Sequence, residues 1–462
     1  MTSLHPSTAA EGRTGARSTA TALVILVLVQ FLVVFNSTSG TLALPDATAD
    51  LHLSTGSAVW IVSGYVLAFG GLLLFGGRLA DIVGARRLLI ISVAVFGAAA
   101  TVAGFAPNGY ALVGARIVQG VGAAGMAPSA LALLAITFRD PAARRRAMGV
   151  WGTVASAGSG IGVIGGGALT AWLGWRAALL INVPFAVALL IAIPLAIAAG
   201  PRSSGVHASV PGALISVFGI GALVAGLTLG GQNGWLAPIT LILLVVGVAL
   251  LVVFALVERG SAHPFLPQHL LTRWPAVGGD IAMLVAGFAI YPVMVIASEL
   301  LQTNLGYSPL AAGALILPIS AATMLSASFA PRLIARLGTV RPVLIGLTVI
   351  ALSTAAFAIT AAGGVPLTAF LPVTIAFGLG AGLTITSAIS LALSGAAPAE
   401  AGAASGLAQT GQQLGGVIGL TVVTTVIADS GADVMGYGVG FAIAALVVAV
   451  GIAAIAVGAR RG

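Results

Sequence analysis

Apolar residues along this chain fall in long blocks broken by brief polar stretches, and the spacing of the breaks sets the architecture. A membrane helix needs about 20 predominantly apolar residues to cross the hydrocarbon layer. Runs of that size cover about residues 19–44, 56–75, 88–106, 110–138, 147–173 and 177–199. A polar break at 201–209 precedes two more runs, about 210–230 and 237–256, and the longest internal polar stretch, 258–274, follows them. Six further runs occupy about 276–301, 310–329, 343–361, 367–393, 404–427 and 437–457. The pattern predicts an all-α integral membrane protein of fourteen transmembrane helices, grouped six, two and six.

In domain terms, residues 1–18 read as a disordered tail, 19–200 as a six-helix bundle and 201–275 as two additional helices with linkers. A second six-helix bundle fills 276–459, and 460–462 form a second tail. The first run is too long for the apolar core of a signal peptide, about 7–15 residues, and lacks a small-residue cleavage site. Both tails are expected in the cytoplasm, because arginine placement orients the spans. The connections on that side hold Arg78, Arg86, Arg87, Arg139, Arg144, Arg145, Arg146, Arg202, Arg259, Arg273, Arg332, Arg336 and Arg341, whereas the outer side holds only Arg176. Trp172, Trp175, Trp235 and Trp274 sit near span ends, as interfacial aromatics do.

Composition agrees with a lipid solvent: 59% of the 462 residues are hydrophobic and 6% are charged. The net charge of +8 follows from the one-sided arginines and does not indicate nucleic-acid binding. The chain has no cysteine, which excludes disulfides, thiolate metal sites and thiol nucleophiles. No metal-ligand spacing, Ser–His–Asp set or phosphate-cradling loop occurs, so an enzyme, a bound cofactor and ATP-driven transport by this chain alone are not expected.

A short basic segment occurs twice. GRLADIVGARRLL, residues 77–89, contains Gly77, Arg78, Asp81, Gly84, Arg86 and Arg87. PRLIARLGTVRPV, residues 331–343, repeats its frame: Arg332, Leu333, Gly338 and Arg341 match Arg78, Leu79, Gly84 and Arg87, each 254 positions on (332 − 78 = 254). Repeated halves of this kind are the usual build of a secondary transporter. Asp81 is matched by Ala335; a carboxylate at this position can cap a helix N-terminus or pair with nearby arginines.

Within the spans, Arg116 is the outstanding charge. An arginine at membrane depth costs at least ~2.5–3.5 kcal/mol, so it faces a bundle interior or a wet cavity. It either serves substrate binding and the tuning of a neighbouring carboxylate, or pairs for structure; Gln119 follows within one turn. Gly149, Gly158, Gly162, Gly166 and Gly167 stud the fifth span, and 158, 162 and 166 share one helix face that a neighbour can approach closely. Asn36, Thr38 and Thr41 make a polar patch in the first span. Tyr291 and Met294 in the ninth span, Thr384, Thr386 and Ser387 in the twelfth, and Gln409, Gln412 and Gln413 in the thirteenth are its candidate partners. Such groups either hydrogen-bond between helices or line a pathway. The candidate proton carriers are Asp280 and Glu299, near the two ends of the ninth span, although an interfacial, permanently ionised role is the alternative.

These motifs together resemble the Major Facilitator Superfamily, specifically its fourteen-span drug:proton antiporter group. GRLADIVGARR resembles the signature turn between spans two and three, LVGARIVQGVGAA the fourth-span motif with its embedded arginine, and the fifth-span glycines the antiporter motif. ASGLAQTGQQLGGVIG and SELLQTNLGYSPLAAG also resemble segments of the group. The resemblance implies multidrug or antibiotic efflux across a bacterial inner membrane by alternating access, with the repeated turns as latches. It implies a small lipophilic substrate, protons as coupling ion, a monomer and no cofactor. Two positions depart from the pattern: Val163 stands where the fifth-span motif has proline, and Asn36 where the first span of the group has aspartate. Asparagine exchanges no proton at physiological pH, so coupling would fall to Asp280 or Glu299, with Arg116 modulating. That change opens a second expectation, a uniporter or proton symporter of a neutral or anionic metabolite. A third, a non-transporting membrane sensor, would call for an added soluble domain.

Overall fold

A computed structural model describes residues 8–53, 55–198, 210–261, 264, 266–299, 301, 309–362, 367–397, 400–430 and 434–461. Among them there is no β-strand. The first half contains α1 (Thr8–Leu42), the short α2 (Leu44–Asp50), α3 (Thr55–Val83), α4 (Ala85–Gly104), α5 (Gly109–Thr137), α6 (Pro141–Leu173), α7 (Trp175–Leu180) and α8 (Asn182–Ala196). Two additional helices follow, α9 (Val210–Asn233) and α10 (Pro238–Gly260). The second half comprises α11 (Trp274–Glu299), α12 (Pro309–Leu337), α13 (Val340–Ala362), α14 (Leu367–Ser394), α15 (Ala401–Asp429) and α16 (Val434–Arg461). α7 and α8 join across Ile181 into one crossing, Trp175–Ala196. Thirteen crossings are long and apolar enough by the described residues, and the 29-residue α12 between α11 and α13 is the fourteenth. An even number returns the chain to the end where it began, which is also the arginine-rich end.

Local chemistry fixes several ends. Asn108 and Asp140 cap α5 and α6, accepting from Ala111 N at 2.9 Å and Ala143 N at 2.7 Å. Pro141 then occupies the first turn, where no amide partner is needed. The repeated basic segments are shorter turns than the hydropathy breaks suggest. Gly77, Arg78 and Asp81 belong to the last turns of α3, and Arg332 and Arg336 to α12. The chain reverses only at Gly84 and Gly338, with φ of 95° and 77°. These matched positions both need a left-handed backbone, which glycine adopts without a Cβ clash. Helix also begins earlier than expected: residues 8–18, read as a disordered tail, form the first turns of α1, consistent with helix formers such as Ala9, Ala10, Glu11, Ala16 and Arg17.

Helices approach through small residues, because lipid supplies no hydrophobic force between them and close van der Waals contact must. A Cβ on Gly76 would overlap Ala124 O of α5, and one on Gly120 would overlap the α3 backbone near Tyr65. In the second half Gly411, Gly415 and Gly419, spaced by four, face the carbonyl oxygens of Asp280, Leu284 and Phe288, also spaced by four. α9 lies along α3 and α15, and α10 packs on the far side of α9.

Candidate functional site

Arg116 on α5 is completely enclosed, at the centre of a polar cluster drawn from α1, α3, α5 and α8. Nε donates to Ile61 O at 3.1 Å, while Nη1 donates to Gln119 Oε1 at 2.7 Å and Asn36 Oδ1 at 3.2 Å. Gln119 Nε2 and Asn182 Nδ2 donate to the same Asn36 oxygen, at 3.0 and 3.3 Å. The guanidinium carbon lies 4.5 Å from the centre of the Tyr65 ring, a cation–π contact. Ser37 Oγ donates to the Tyr65 hydroxyl at 3.4 Å. Arg116 Nη2 and Asn182 Oδ1 are buried without a hydrogen-bond partner. The ion pairs among the described residues are Arg176–Asp50 and His269–Glu400, so no carboxylate pairs with this buried cation. Gly40 keeps the space open, since a Cβ there would fall 2.8 Å from Nη2.

The fifth-span glycines hold α6 against α1 beside this cluster. A Cβ on Gly158 would lie 3.2 Å from Phe31 O, one on Gly162 would overlap Thr38 Oγ1, and one on Gly166 would lie 2.7 Å from the Ser39 backbone. Thr38 itself bonds back to Phe35 O at 3.0 Å. Gly149 faces Pro331 of α12 instead, at 2.6 Å from its Cγ, and Gly167 is half-buried. In the second half the Tyr291 hydroxyl donates to Gln413 Oε1, and a Cβ on Gly416 would fall 2.6 Å from the Tyr291 ring. Gln409 Nε2 donates to Ser405 O at 3.3 Å, and Met294 is half-buried beside the core. Asp280 is half-buried on α11, with Oδ1 unpartnered. Thr41 and Glu299 end α1 and α11, and their side chains lie outside the described set, as does Val163's.

Asn36 and Gln119 therefore bond within the Arg116 cluster, while Tyr291 and Gln413 form a separate pair between α11 and α15. Asn182 and Tyr65 complete the first cluster; an amide and a phenol in otherwise apolar spans were the sequence signal for them.

The halves meet near the arginine-rich end. Asp81 Oδ1 and Oδ2 accept from Gly402 N at 3.0 Å and Ala403 N at 2.9 Å, capping α15 from across the joint. These amides belong to the first turn of a helix, which carries orphan donors and partial positive charge. A Cβ on Gly77 would overlap Gly402 O, and Ser405 Oγ reaches Pro128 O of α5 at 3.4 Å. Arg78 is buried and donates to Pro264 O at 3.4 Å, while Arg86 donates to Pro194 O at 2.9 Å and Arg87 is exposed. The linker after α10 is folded onto the joint: Glu258 Oε2 accepts from Leu266 N at 2.9 Å, and His269 Nε2 lies 2.8 Å from Glu400 Oε2. At the opposite end, Asp50 Oδ2 accepts from Arg176 Nη1 at 2.5 Å and Trp175 Nε1 at 3.2 Å. Arg176 holds the Asp50 carboxyl below its ordinary range. Trp175 is thus a buried hydrogen-bond donor, whereas Trp172 is exposed at the end of α6.

The model of the Major Facilitator Superfamily matches residues 26–420. The chain belongs to this superfamily. It is 36% identical over 373 residues to a puromycin resistance protein of Streptomyces alboniger, covering 79% of this chain and 73% of that one. It is 40% identical over 308 residues to a cephamycin export protein of Amycolatopsis lactamdurans, covering 65% of this chain and 63%, somewhat under two thirds, of that one. Its fold is similar to that of the human organic anion transporter MFSD10, with a TM-score of 0.71 at 16% identity, covering 95% of this chain and 99% of the other. As a Major Facilitator Superfamily transporter the chain is a multi-pass membrane protein with a small-molecule substrate.

Proposed function

We propose that this transporter exports a small lipophilic compound, an antibiotic or related natural product, across the bacterial plasma membrane by proton antiport. The arginine-rich end and both termini face the cytoplasm, and the chain acts as a monomer. The relatives named for puromycin resistance and cephamycin export support the substrate class. The observation that carries the mechanism is the Asp81 cap on α15. It is a polar joint between the halves at one end of each helix involved, and such a joint can part and reform as the halves rock. Arg78, Gly77 and Gly84 shape the first-half latch, and Arg332, Gly338 and Arg341 stand at the matching place in the second. Asp280 is the proposed proton carrier within α11, with Glu299 at its far end.

The carboxylate-free Arg116 cluster favours a neutral or anionic substrate over a lipophilic cation, and it keeps facilitated diffusion or proton symport as the second reading. The test is substrate-driven proton movement in everted vesicles, read with an acridine dye and challenged with puromycin, a cephamycin and a cationic dye. Drug-dependent alkalinisation by the natural protein, abolished by Asp280→Asn, is the expected result. Drug flux without proton movement would establish facilitation. Absence of both would overturn the proposal.

A further inference from the structure

The two copies of the basic segment use their arginines differently. In the first, Arg78 and Arg86 donate to backbone carbonyls of the protein and Arg87 alone is exposed. In the second, Arg332, Arg336 and Arg341 are exposed, and none has an ion-pair partner among the described residues. Arg332 lies over the Phe329 ring, its guanidinium carbon 5.2 Å from the centroid.

Phe329 lines an apolar groove of about 230 Å³ formed by Leu325, Phe329 and Leu333 of α12, Val349 of α13, and Leu379 and Leu383 of α14. Leu325 and Phe329 are 53% and 50% exposed, so the groove opens on the outside of the bundle, where lipid lies. On α12 the series 325, 329, 332 and 336 runs along one face, and on α13 so does the series 341, 345 and 349. The three arginines therefore frame the arginine-rich mouth of the groove. From Arg341 to Val349 the rise is about 12 Å, most of one leaflet of a hydrocarbon layer about 30 Å thick.

We infer that this groove between α12, α13 and α14 binds an anionic phospholipid, one acyl chain lying along Phe329 and Val349 and the phosphate held by Arg332, Arg336 and Arg341. The occupant follows from charge and shape together. An apolar trough with cations only at its membrane-surface end matches a chain topped by an anion, and basic pockets between membrane helices bind such headgroups. Stacking on Phe329 orients Arg332 toward the mouth and leaves its donors free for phosphate oxygens. A zwitterionic lipid would bring its own cation into this cluster and bind less well. The inference depends neither on the direction of transport nor on which compartment the arginines face.

The test is native mass spectrometry of the full-length protein offered equal amounts of phosphatidylglycerol and phosphatidylcholine. One retained phosphatidylglycerol per protein is expected. The triple variant Arg332→Gln, Arg336→Gln, Arg341→Gln should lower that retention roughly 100-fold, about fivefold per arginine. Leu379→Trp, which fills the groove and keeps the arginines, should lower it as well, and Arg86→Gln with Arg87→Gln should not. Equal retention of both lipids, an unaffected triple variant, or equal loss in the first-segment control would each overturn the assignment. All substituted side chains are at least partly exposed, so the variants should fold, and a single monodisperse species in each spectrum checks it.

Discussion

Arg116 Nη1 and Asn36 Oδ1 meet at 3.2 Å in a fully buried cluster, and Asn36 brings no negative charge to the meeting. An aspartate there would supply charge-assisted bonds to donors already aimed at position 36, from Arg116, Gln119 and Asn182. Asn36→Asp is expected to raise the thermal midpoint, with bonds to a charged group contributing about 1.5–3 kcal/mol. It is also expected to shift transport toward lipophilic cations. Thermal unfolding in detergent and competition between a cationic dye and a neutral antibiotic check the two halves of this prediction. Unchanged selectivity would mean that the cluster does not sense substrate charge.

Arg116→Ala strands Gln119 Oε1, removes one of the three donors to Asn36 Oδ1 and one donor to Ile61 O, and leaves a large void in a fully buried cluster. Each buried unsatisfied group costs about 1–3 kcal/mol, so a steep loss of stability and of transport is expected. Arg116→Lys should recover little of either, because an ammonium cannot reproduce the guanidinium fork. Full activity of the lysine variant would show that charge alone matters here.

Asp81→Asn removes the charge from the α15 cap and leaves one acceptor for two amides. Cap losses of about 0.5–2 kcal/mol translate into a shift of about twofold to thirtyfold away from the joined state. The natural chain has no cysteine, so a single Ser405→Cys reports cleanly on the joint. Maleimide labelling of that cysteine should speed up in the Asp81→Asn background. Equal labelling rates would separate Asp81 from the joint.

Gly162→Ala should impair folding or transport, because the new methyl overlaps Thr38 Oγ1 and lies 3.1 Å from Phe35 O. Overpacking of this kind costs about 1–3 kcal/mol. Gly114→Ala, with open space at the same distance, is the control. The pair Gly162→Ala, Thr38→Ala should recover part of the loss, as read by vesicle uptake at matched expression.

Acid should weaken the Asp50–Arg176 clamp at the end opposite the arginine-rich one. The Asp50 carboxyl is held low chiefly by its bond to Arg176. A carboxyl with a depressed folded-state pKa adds stability above its unfolded value, near 3.8, that is lost as pH falls through the folded value. The thermal midpoint of the natural protein should therefore exceed that of Asp50→Asn at neutral pH, and the two should converge in acid. The opposite slope would place Asp50 outside the clamp.

The fold was legible because a membrane span announces itself by length and hydropathy, and the repeat of Arg78 and Gly84 at Arg332 and Gly338 revealed two halves. The positions of the chain reversals were less legible. Hydropathy falls at Gly77, but in α3 the backbone bonds itself and the helix continues to Val83. The Arg116 hub was readable as a buried charge, yet its partners were not. Asn36, Tyr65 and Asn182 come from separate helices, and single-chain periodicity does not say which faces meet. The same limit hid the glycine series of α15, although its four-residue spacing equals that of α6.

α9 touches both halves: Gly221 lies against Gly71 of α3, at 3.4 Å from its Cβ direction, and Thr421 Oγ1 of α15 reaches Leu227 O at 3.4 Å. A helix seated on both sides of a moving seam cannot travel with both. If the halves rock as proposed, each swing shears α9 against α3 or against α15, and α10, packed on its far side, follows it. On that proposed motion the additional pair would act as a friction element, and the close approach of Gly221 to Gly71 would set how freely α9 slides along α3.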